Sequence, residues 1–334
     1  MDYQDLVTMI IVRSPLRVAF GGGGTDLPSY YEKYGGYVVS AAINKYVYIA
    51  LNYSFHDELI LKYSHIERVK QVNEIKHPII RECFKMLDVP CHHLEMSSMA
   101  DIPGGTGMGS SSAFTCALLH ALHTYKKQYV KPSFLAEEAF HIEAEVLKAP
   151  IGKQDQYIAA HGGMKEFFFG QDGQVRVAEL NLPDNSKYDL EDGLMLFFTG
   201  YTRPASKILL EQDTKSREND GEMQENLTIT KQLGYMTTDA LRVGHMELFA
   251  GLLKEQWRMK KMRSGSMSNP KIDHCYSVAL NNGALGGRLL GAGGGGFLLF
   301  YSDDHNKLRK AMLNEGLEEV RFRFDNHGTK VVES

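Results

Sequence analysis

The segment PGGTGMGSSS at residues 103–112 combines residue types that are suited to binding an anion. Its alternating glycines let the backbone approach a ligand closely, and its serines offer hydroxyl groups directly before a segment with the apolar periodicity of a helix. The first turn of a helix carries unpaired backbone N–H groups and the positive end of the helix dipole, which together favour phosphate. The sequence therefore predicts a phosphate-binding turn, and a flexible loop with a serine N-cap is the alternative. The candidate contacts are Gly105, Gly107, Gly109, Ser110, Ser111 and Ser112.

The turn differs from two common nucleotide-binding motifs. A Walker A loop would need a lysine where this chain has serine. The glycine spacing G-x-G-x-G also differs from the G-x-G-x-x-G of dinucleotide-binding folds, which argues against a dinucleotide-dependent enzyme.

Two carboxylates are candidates for the chemistry next to a bound phosphate. Glu143 lies at helical spacing in a row with Ala136, Phe140 and Leu147, which are all apolar. A carboxylate in an apolar row needs a partner, for which a cation is one candidate, and a position at the edge of the buried stripe is the alternative. Asp155 lies in PIGKQDQYIAA, before a predicted helix, and is a candidate base. A phosphate turn, hydroxyl groups, a carboxylate for a metal and a base are the equipment of phosphoryl transfer.

Two further glycine clusters border predicted strands, in LRVAFGGGGTD (16–26) and in LLGAGGGGFLLF (289–300). Consecutive glycines lose more conformational entropy on folding than other residues do. We therefore expect each cluster to contact a ligand or to allow two backbone segments to cross closely, and the sequence leaves both alternatives open.

Composition indicates a globular, cytoplasmic enzyme. The chain has 334 residues, of which 43% are hydrophobic, and a formal net charge of −4, which does not suggest a nucleic-acid partner. No apolar run is long enough to span a bilayer, and the acidic start lacks a secretion signal. The scattered cysteines indicate free thiols in a reducing compartment. Met9 could equally be the start of translation, with residues 1–8 a dispensable extension.

The pattern of elements predicts an α+β protein in two parts. The first half is rich in β-branched and aromatic segments, followed by helical periodicity after the serines. The pattern begins again near Gly193 with an apolar strand, then several amphipathic helices and further strands. We predict an N-terminal domain over residues 1–185 and a C-terminal domain over residues 186–334.

Three segments together, SPLRVAFGGGGTD, PGGTGMGSSSA and LLGAGGGGF, resemble the three ordered motifs of the GHMP kinases. The resemblance spans essentially the whole chain. It implies an α+β fold in which an N-terminal domain similar to ribosomal protein S5 domain 2 joins a ferredoxin-like C-terminal domain, with the active site between them. It also implies ATP and Mg²⁺ as cofactors and a small sugar or sugar phosphate as the substrate.

The resemblance also implies roles for individual residues. The glycines of the second motif, with Ser110 and Ser112, would contact the ATP phosphates, and Ser111 would bind Mg²⁺ together with Glu143. Asp155 would accept the proton of the sugar hydroxyl, and Arg17 would either help to lower the pKa of that hydroxyl or stabilise the developing charge. The candidate substrate contacts are Arg13, Gly23, Gly24, Thr25, Asp26, Gly293, Gly294 and Gly295.

The first motif departs from that of the galactokinases, which read G-E-H-T-D where this chain has GGGTD, residues 22–26. Gly23 and Gly24 thus replace a glutamate and a histidine. The missing carboxylate and the added room favour a longer substrate or one that carries its own anion, because a buried carboxylate would repel a phosphate.

Within the family, the pattern is most similar to kinases that phosphorylate the anomeric hydroxyl of D-glycero-D-manno-heptose 7-phosphate, for nucleotide-activated heptose and surface polysaccharides. An L-fucokinase or galactokinase-like sugar 1-kinase is the first alternative, and a non-catalytic regulator that binds ATP and sugar is the second. The sequence leaves open whether the protein is a monomer or a homodimer. Candidate cations for a substrate phosphate are Arg13, Lys153, Arg203 and Lys207.

Overall fold

The computed structural model describes residues 9–200, 205–217 and 220–333, with the backbone alone for 205–208. Its larger sheet is built on two long antiparallel strands, β1 (Ile10–Gly21) and β2 (Gly36–Tyr53), whose apolar, β-branched sequences are buried along most of their length. The strand order is β12-β1-β2-β5-β3-β4, and β6, paired with β7, also joins β2. The remaining strands of this sheet are β3 (Leu59–Lys62), β4 (Ile66–Val69), β5 (Leu94–Ala100), β6 (Met164–Phe169), β7 (Val175–Glu179) and β12 (Lys330–Glu333).

Helices pack on this sheet and bring the predicted site segments to it. The helix that follows the serine run, α3 (Ser110–Tyr125), contacts β1 and β2, and α5 (Gln154–His161) contacts α3 and both of these strands. The other helices of the first half are α1 (Pro28–Tyr34), α2 (Pro78–Met86), α4 (Pro132–Phe140) and α6 (Asp184–Gly193).

The smaller sheet is antiparallel, with the order β11-β8-β10-β9. It consists of β8 (Leu194–Phe198), β9 (Ala284–Leu289), β10 (Phe297–Ser302) and β11 (Glu318–Glu319). The helices of this half are α7 (Ala205–Arg217), α8 (Gly221–Arg242), α9 (Met246–Arg263), α10 (Pro270–Asn281) and α11 (His305–Asn314). Helix α9 contacts β9 of the smaller sheet, whereas α8 contacts α9 and also β1 and β2, so this helix pair joins the two sheets.

The predicted α+β class is confirmed. The domain boundary between residues 185 and 186 stays a prediction; it falls within the first turn of α6, the helix that precedes the first strand of the smaller sheet. The last strand, β12, returns to pair with β1 of the larger sheet, so the chain crosses between the two sheets again near its end. All four cysteines are free and buried, as the sequence predicts. Among the described residues, no helix combines the length and apolar character needed to cross a membrane.

Candidate active site

The predicted phosphate turn leads into α3, and its three alternating glycines have left-handed backbone conformations. Gly105, Gly107 and Gly109 have φ values of 75°, 77° and 77°, a region that favours glycine. Gly109 is the N-cap residue of α3, so the N–H groups of the serines that follow form the open first turn of that helix. These residues therefore have the local conformation expected of an anion-binding turn.

The turn is packed against the third glycine cluster, backbone to backbone. A Cβ atom on Gly107 would lie 2.8 Å from the Cα of Gly291, and one on Gly291 would in turn overlap Gly107. Gly296 packs in the same way against the backbone of Thr106. Of the two roles that the sequence leaves open for the third glycine cluster, Gly291 and Gly296 therefore have the second: they allow two backbone segments to cross closely.

The central glycines of the third cluster, predicted to contact the substrate, pack against another loop instead. Gly293 packs against Met267, and the N–H of Gly294 donates to the Met267 carbonyl at 2.9 Å. Gly293, Gly294 and Gly295 are not among the residues that line the cavity described below, whereas Leu290, Gly291 and Ala292 are. The structure thus does not bring the three predicted glycines to the substrate cavity.

The candidate base Asp155 is held by Arg17. The Nε and Nη2 atoms of Arg17 donate to the two carboxylate oxygens of Asp155 at 2.8 and 3.0 Å, and Nη1 donates to the Gly107 carbonyl at 2.6 Å. The Gln154 amide also donates to Asp155 Oδ1, at 2.9 Å. The Asp155 side chain keeps 28% of its surface exposed, toward the cavity, while Arg17 is buried. This arrangement orients a reachable carboxylate next to the anion turn.

Glu143 lies in a π-helical turn, His141–Val146, that continues α4. It is buried, as its helical row predicts, and burial raises the pKa of its carboxyl. Its partners are neutral: Ser111 Oγ donates to Oε1 at 2.5 Å, Gln156 Nε2 donates to Oε2 at 2.7 Å, and the Ser112 hydroxyl also donates to this carboxylate. The predicted pairing of Ser111 with Glu143 is therefore present in the fold.

The residues around Glu143 suit a hard cation. Mg²⁺ prefers oxygen ligands, few of them from the protein, and completes its shell with water and phosphate oxygens. The Ser111 hydroxyl and the Glu143 carboxylate provide two adjacent oxygens at the start of α3. The hydroxyl of Ser110, buried beside them, has no hydrogen-bond partner among the described residues. The donor set thus fits Mg²⁺, although no group of three or more His, Cys, Asp or Glu side chains that could hold a metal occurs in the described part of the chain.

The first glycine cluster forms a tight turn around Asp26. The Asp26 carboxylate accepts from the N–H groups of Gly24, at 2.9 Å, and Gln154, at 3.3 Å. Burial raises the pKa of this carboxyl, and the nearby Asp155 adds to the shift. Asp26, Gly23 and Gly24 line the cavity, as predicted for substrate contacts. Thr25 does not: its hydroxyl, fully buried, donates to the carbonyls of Gly22 and Tyr37 and holds the turn together.

Two of the cations predicted for a substrate phosphate lie elsewhere. Arg13 is 3.6 Å from Asp325 and stacks over the Tyr46 ring, and it does not line the cavity. Lys153 donates to both oxygens of Glu137, each at 2.8 Å, so its charge is already compensated. The predictions for Arg203 and for the Lys207 side chain lie outside the described residues.

Three other cations line the cavity instead: Lys260 and Arg263 of α9 and Arg288 of β9. The sequence contains a pattern that indicates the buried positions of Lys260 and Arg263. Phe249, Leu253, Gln256, Lys260 and Arg263 follow one another at helical spacing, so the apolar stripe of α9 continues into polar and then cationic residues. All five are buried. A cation on the buried face of an amphipathic helix points to an anionic ligand or partner.

These elements enclose one cavity of about 300 Å³. Its lining includes the anion turn, the Ser111–Glu143 pair, the Arg17–Asp155 pair and Asp26, together with the three cations of the other half of the chain. A cavity with oxyanion-binding and carboxylate groups side by side can hold a phosphate donor next to an acceptor hydroxyl.

Comparison with known proteins decides the family. Residues 73–163 match the model of the GHMP kinases N terminal domain, and residues 237–318 match that of the GHMP kinases C terminal domain. This chain belongs to the GHMP kinase family. The GHMP kinase is also 31% identical, over 96% of its length and 98% of the relative, to D-glycero-alpha-D-manno-heptose 7-phosphate kinase of Campylobacter jejuni.

Two further similarities are less close. An L-fucokinase/L-fucose-1-P guanylyltransferase of Bacteroides fragilis is 25% identical to this chain. The match covers 93% of this chain and 37% of that longer protein. The solved structure of a D-glycero-D-manno-heptose 1-phosphate kinase of Bacteroides thetaiotaomicron has a TM-score of 0.80, with 24% identity, and covers 97% of this chain and 99% of that one. This likeness supports the fold. The family membership predicted from the three glycine motifs is confirmed, and with it a kinase that uses ATP.

Proposed function

We propose that this GHMP kinase transfers the γ-phosphoryl group of ATP to the anomeric hydroxyl of D-glycero-D-manno-heptose 7-phosphate and so forms the 1,7-bisphosphate. The similarity to the Campylobacter jejuni heptose 7-phosphate kinase supports this substrate. The observation that carries the proposal is the cavity that combines an anion turn, the Arg17–Asp155 pair and buried cations. The enzyme would act in the cytoplasm, upstream of nucleotide-activated heptose for surface polysaccharides.

The anion turn and the start of α3 would bind the triphosphate of ATP. The backbone N–H groups of the first helical turn, Ser112 included, and the unpartnered hydroxyl of Ser110 would donate to phosphate oxygens, whereas the Ser112 hydroxyl bonds to Glu143. Ser111 and Glu143 would hold Mg²⁺, which when bound neutralises charge on the phosphate oxygens. The hydrogen-bond donors to Glu143 are neutral, so no side-chain cation competes with the metal for its carboxylate.

Asp155 would accept the proton from the anomeric hydroxyl. The sugar oxygen then forms a bond to the γ-phosphorus while the bond from that phosphorus to the leaving oxygen of ADP breaks. Arg17 positions the Asp155 carboxylate, because its guanidinium binds both carboxylate oxygens and is itself tied to the anion turn through Gly107. Asp26 would accept hydrogen bonds from other hydroxyl groups of the sugar, with its carboxylate fixed by two backbone N–H groups.

A sugar 1-kinase for L-fucose is the second candidate, supported by the similarity to the Bacteroides fragilis protein. Fucose carries no phosphate, so it would leave the cations of the cavity without an anionic partner. This difference makes the heptose phosphate the better match to the cavity.

A coupled assay of ADP release tests the proposal. The rate of the wild-type enzyme would be measured with D-glycero-D-manno-heptose 7-phosphate, L-fucose and galactose at matched concentrations. The Asp155→Asn variant would serve as the inactive control. The highest kcat/KM is expected with the heptose phosphate. A preference for L-fucose would replace this function with the second candidate, and ATP binding without turnover of any sugar would identify a non-catalytic regulator.

A further inference from the structure

Three buried cations of the cavity form no ion pair with any residue that the structure describes. Lys260, Arg263 and Arg288 are 5–6% exposed, and no carboxylate oxygen of a described residue lies within 4.0 Å of their charged nitrogens. Arg17, the fourth cation of the cavity, is paired with Asp155. Buried charges are normally paired or bound to a ligand, so three unpaired ones in a single cavity indicate a ligand of opposite charge.

Arg263 is held in place by neutral groups. Its Nε donates to Asn226 Oδ1 at 2.9 Å, its Nη2 to Thr230 Oγ1 at 2.7 Å, and its Nη1 to the Gly23 carbonyl at 3.0 Å. These acceptors fix the orientation of the guanidinium but carry no charge, and the nearby Asp26 carboxylate attracts it without forming a direct ion pair. The surrounding structure therefore presents the cation in one position.

The glycines of the first turn make room for this cation. A Cβ on Gly24 would lie 2.6 Å from Arg263 Nη1 and 2.8 Å from Gln212 Nε2. At Gly23, the nearest atom to an added Cβ is Arg288 Nη2, at 3.9 Å. The two positions where galactokinases carry glutamate and histidine thus face two guanidinium groups in this chain.

Two donors at the same end of the cavity are unused. Arg288 Nε and Gln212 Nε2 are buried and have no hydrogen-bond acceptor among the described residues. Arg288 Nη1 donates to Gln256 Oε1 at 2.9 Å, which holds the guanidinium in its place on β9. Both side chains line the cavity. Unsatisfied buried donors are costly, and an oxyanion would satisfy them.

This end of the cavity differs from the end that holds the anion turn. The hydrogen bonds of Arg263 and Arg288 go to α8, α9, the end of β1 and the first glycine turn. Lys260 instead donates to the carbonyls of Leu289 and Gly291, and Gly291 packs against the anion turn. Lys260 therefore lies between the two ends, whereas Arg263 and Arg288 belong to the end with Asp26.

The electrostatics agree with this arrangement. Burial lowers the pKa of Arg263 to about 9, where the neighbouring Arg288 adds to the shift and Asp26 opposes it. Burial also lowers the pKa of Arg288 to about 10, and the nearby Arg17 adds to that shift. Burial also lowers the pKa of Lys260 well below its usual value, with further contributions from the nearby arginines. A bound dianion would relieve the repulsion among these groups.

We propose that Arg263, Arg288 and the amide of Gln212 form a subsite for the phosphate monoester of the sugar substrate, at the end of the cavity that holds Asp26. The subsite selects phosphorylated over unphosphorylated sugars. This inference rests on the proposed function, since it names the groups that would hold the remote phosphate of the heptose while its anomeric hydroxyl faces Asp155.

The test compares D-glycero-D-manno-heptose 7-phosphate with the unphosphorylated heptose in the same enzyme. The preference is the ratio of kcat/KM for the two sugars. In Arg263→Gln, the preference is expected to fall by about 30-fold or more, mainly through KM for the phosphorylated sugar, because a buried charge partner is lost. Arg258→Gln is the matched control, since Arg258 lies on the same helix but is exposed and paired with Glu255, and it should keep the wild-type preference.

Gln212→Leu provides a second variant that removes no charge, in case Arg263→Gln does not fold. It should lower the preference in the same direction by a smaller factor, and calorimetry without ATP should show weaker binding of the heptose phosphate. Equal losses with both sugars in the variants, or a wild-type enzyme with no preference, would overturn the subsite. The proposed function fails separately, if the wild-type enzyme phosphorylates neither heptose.

Discussion

The guanidinium of Arg17 holds the carboxylate of Asp155 through two hydrogen bonds, at 2.8 and 3.0 Å, and reaches the carbonyl of Gly107 with its remaining terminal nitrogen. A single planar side chain thus fixes the candidate base relative to the anion turn. Proton acceptor and phosphate donor must be positioned together for phosphoryl transfer, so this link joins two parts of the proposed mechanism.

Asp155→Asn tests the base directly. The amide keeps the shape of the side chain and one acceptor for Arg17, but it cannot take the proton of the sugar hydroxyl. We expect kcat to fall about 100- to 10,000-fold, the usual contribution of a general base. The affinity for ATP, measured by calorimetry, should remain near that of the wild type. A kcat close to wild type would remove Asp155 from this role.

Ser111→Ala removes the hydroxyl that lies 2.5 Å from Glu143 Oε1. If Ser111 is a ligand of Mg²⁺, the concentration of Mg²⁺ at half-maximal rate should rise about tenfold or more. Ser133→Ala is the control, because Ser133 contacts His161 away from the cavity and should leave the titration unchanged. An unchanged titration in Ser111→Ala would argue against this ligand set.

Glu143→Gln should stabilise the free enzyme while it impairs catalysis. Burial raises the pKa of the Glu143 carboxyl above its ordinary value of 4.5, so the unfolded chain loses this proton at a lower pH than the folded protein does. Ionisation therefore lowers stability as pH rises through the interval between the two pKa values, and the loss persists at neutral pH. Glutamine does not ionise, and it can still bond with Ser111 and Gln156.

The expected result is a melting temperature at neutral pH that is higher than wild type by roughly 2 °C or more, without ATP or Mg²⁺. The difference should disappear at a pH below the ordinary range of glutamate, where both side chains are neutral. A melting temperature below wild type at every pH would show that the carboxylate stabilises the fold, contrary to this account.

The backbone contact between Gly107 and Gly291 predicts a strong effect of Gly291→Ala. Gly291 has a φ of 70°, and an added Cβ would overlap Gly107. Gly316→Ala is a matched control, because Gly316 has a φ of 75° and open space around it. The control should lose about 1 kcal/mol from backbone strain alone. Gly291→Ala should lose clearly more, roughly 2 kcal/mol or above, and should raise KM for ATP because the anion turn must move.

Urea denaturation measures the two free energies of unfolding, and the coupled assay measures KM for ATP. Equal destabilisation in both alanine variants, with KM for ATP unchanged in Gly291→Ala, would mean that the crossing of the two glycine clusters does not shape the anion turn.

The sequence predicted the parts of the site that depend on local pattern. A row of apolar residues at helical spacing was enough to predict that Glu143 is buried, and the serine run predicted the start of α3. The glycine motifs predicted the family. These features follow from periodicity and from the conformational freedom of glycine, which a single chain displays directly.

The remaining features depend on contacts between distant segments. Gly107 meets Gly291, and Arg263 reaches Gly23, across long stretches of chain that no local pattern relates. Proximity to the motifs therefore predicts cations such as Arg13 and Lys153 for the substrate phosphate, whereas the cavity contains Lys260 and Arg263 of α9. The apolar stripe of α9 continues into these two residues, so a charged residue on a buried helical face is the local signal for them.

The position of the new phosphate on the sugar decides whether the enzyme is a kinase of the anomeric hydroxyl. The enzyme would be incubated with ATP, Mg²⁺ and D-glycero-D-manno-heptose 7-phosphate, and the product examined by ³¹P NMR. We expect a second phosphate monoester signal whose phosphorus couples to the anomeric proton, formed in step with ADP. Release of ADP without such a signal, or a new phosphate coupled to another position of the sugar, would contradict it.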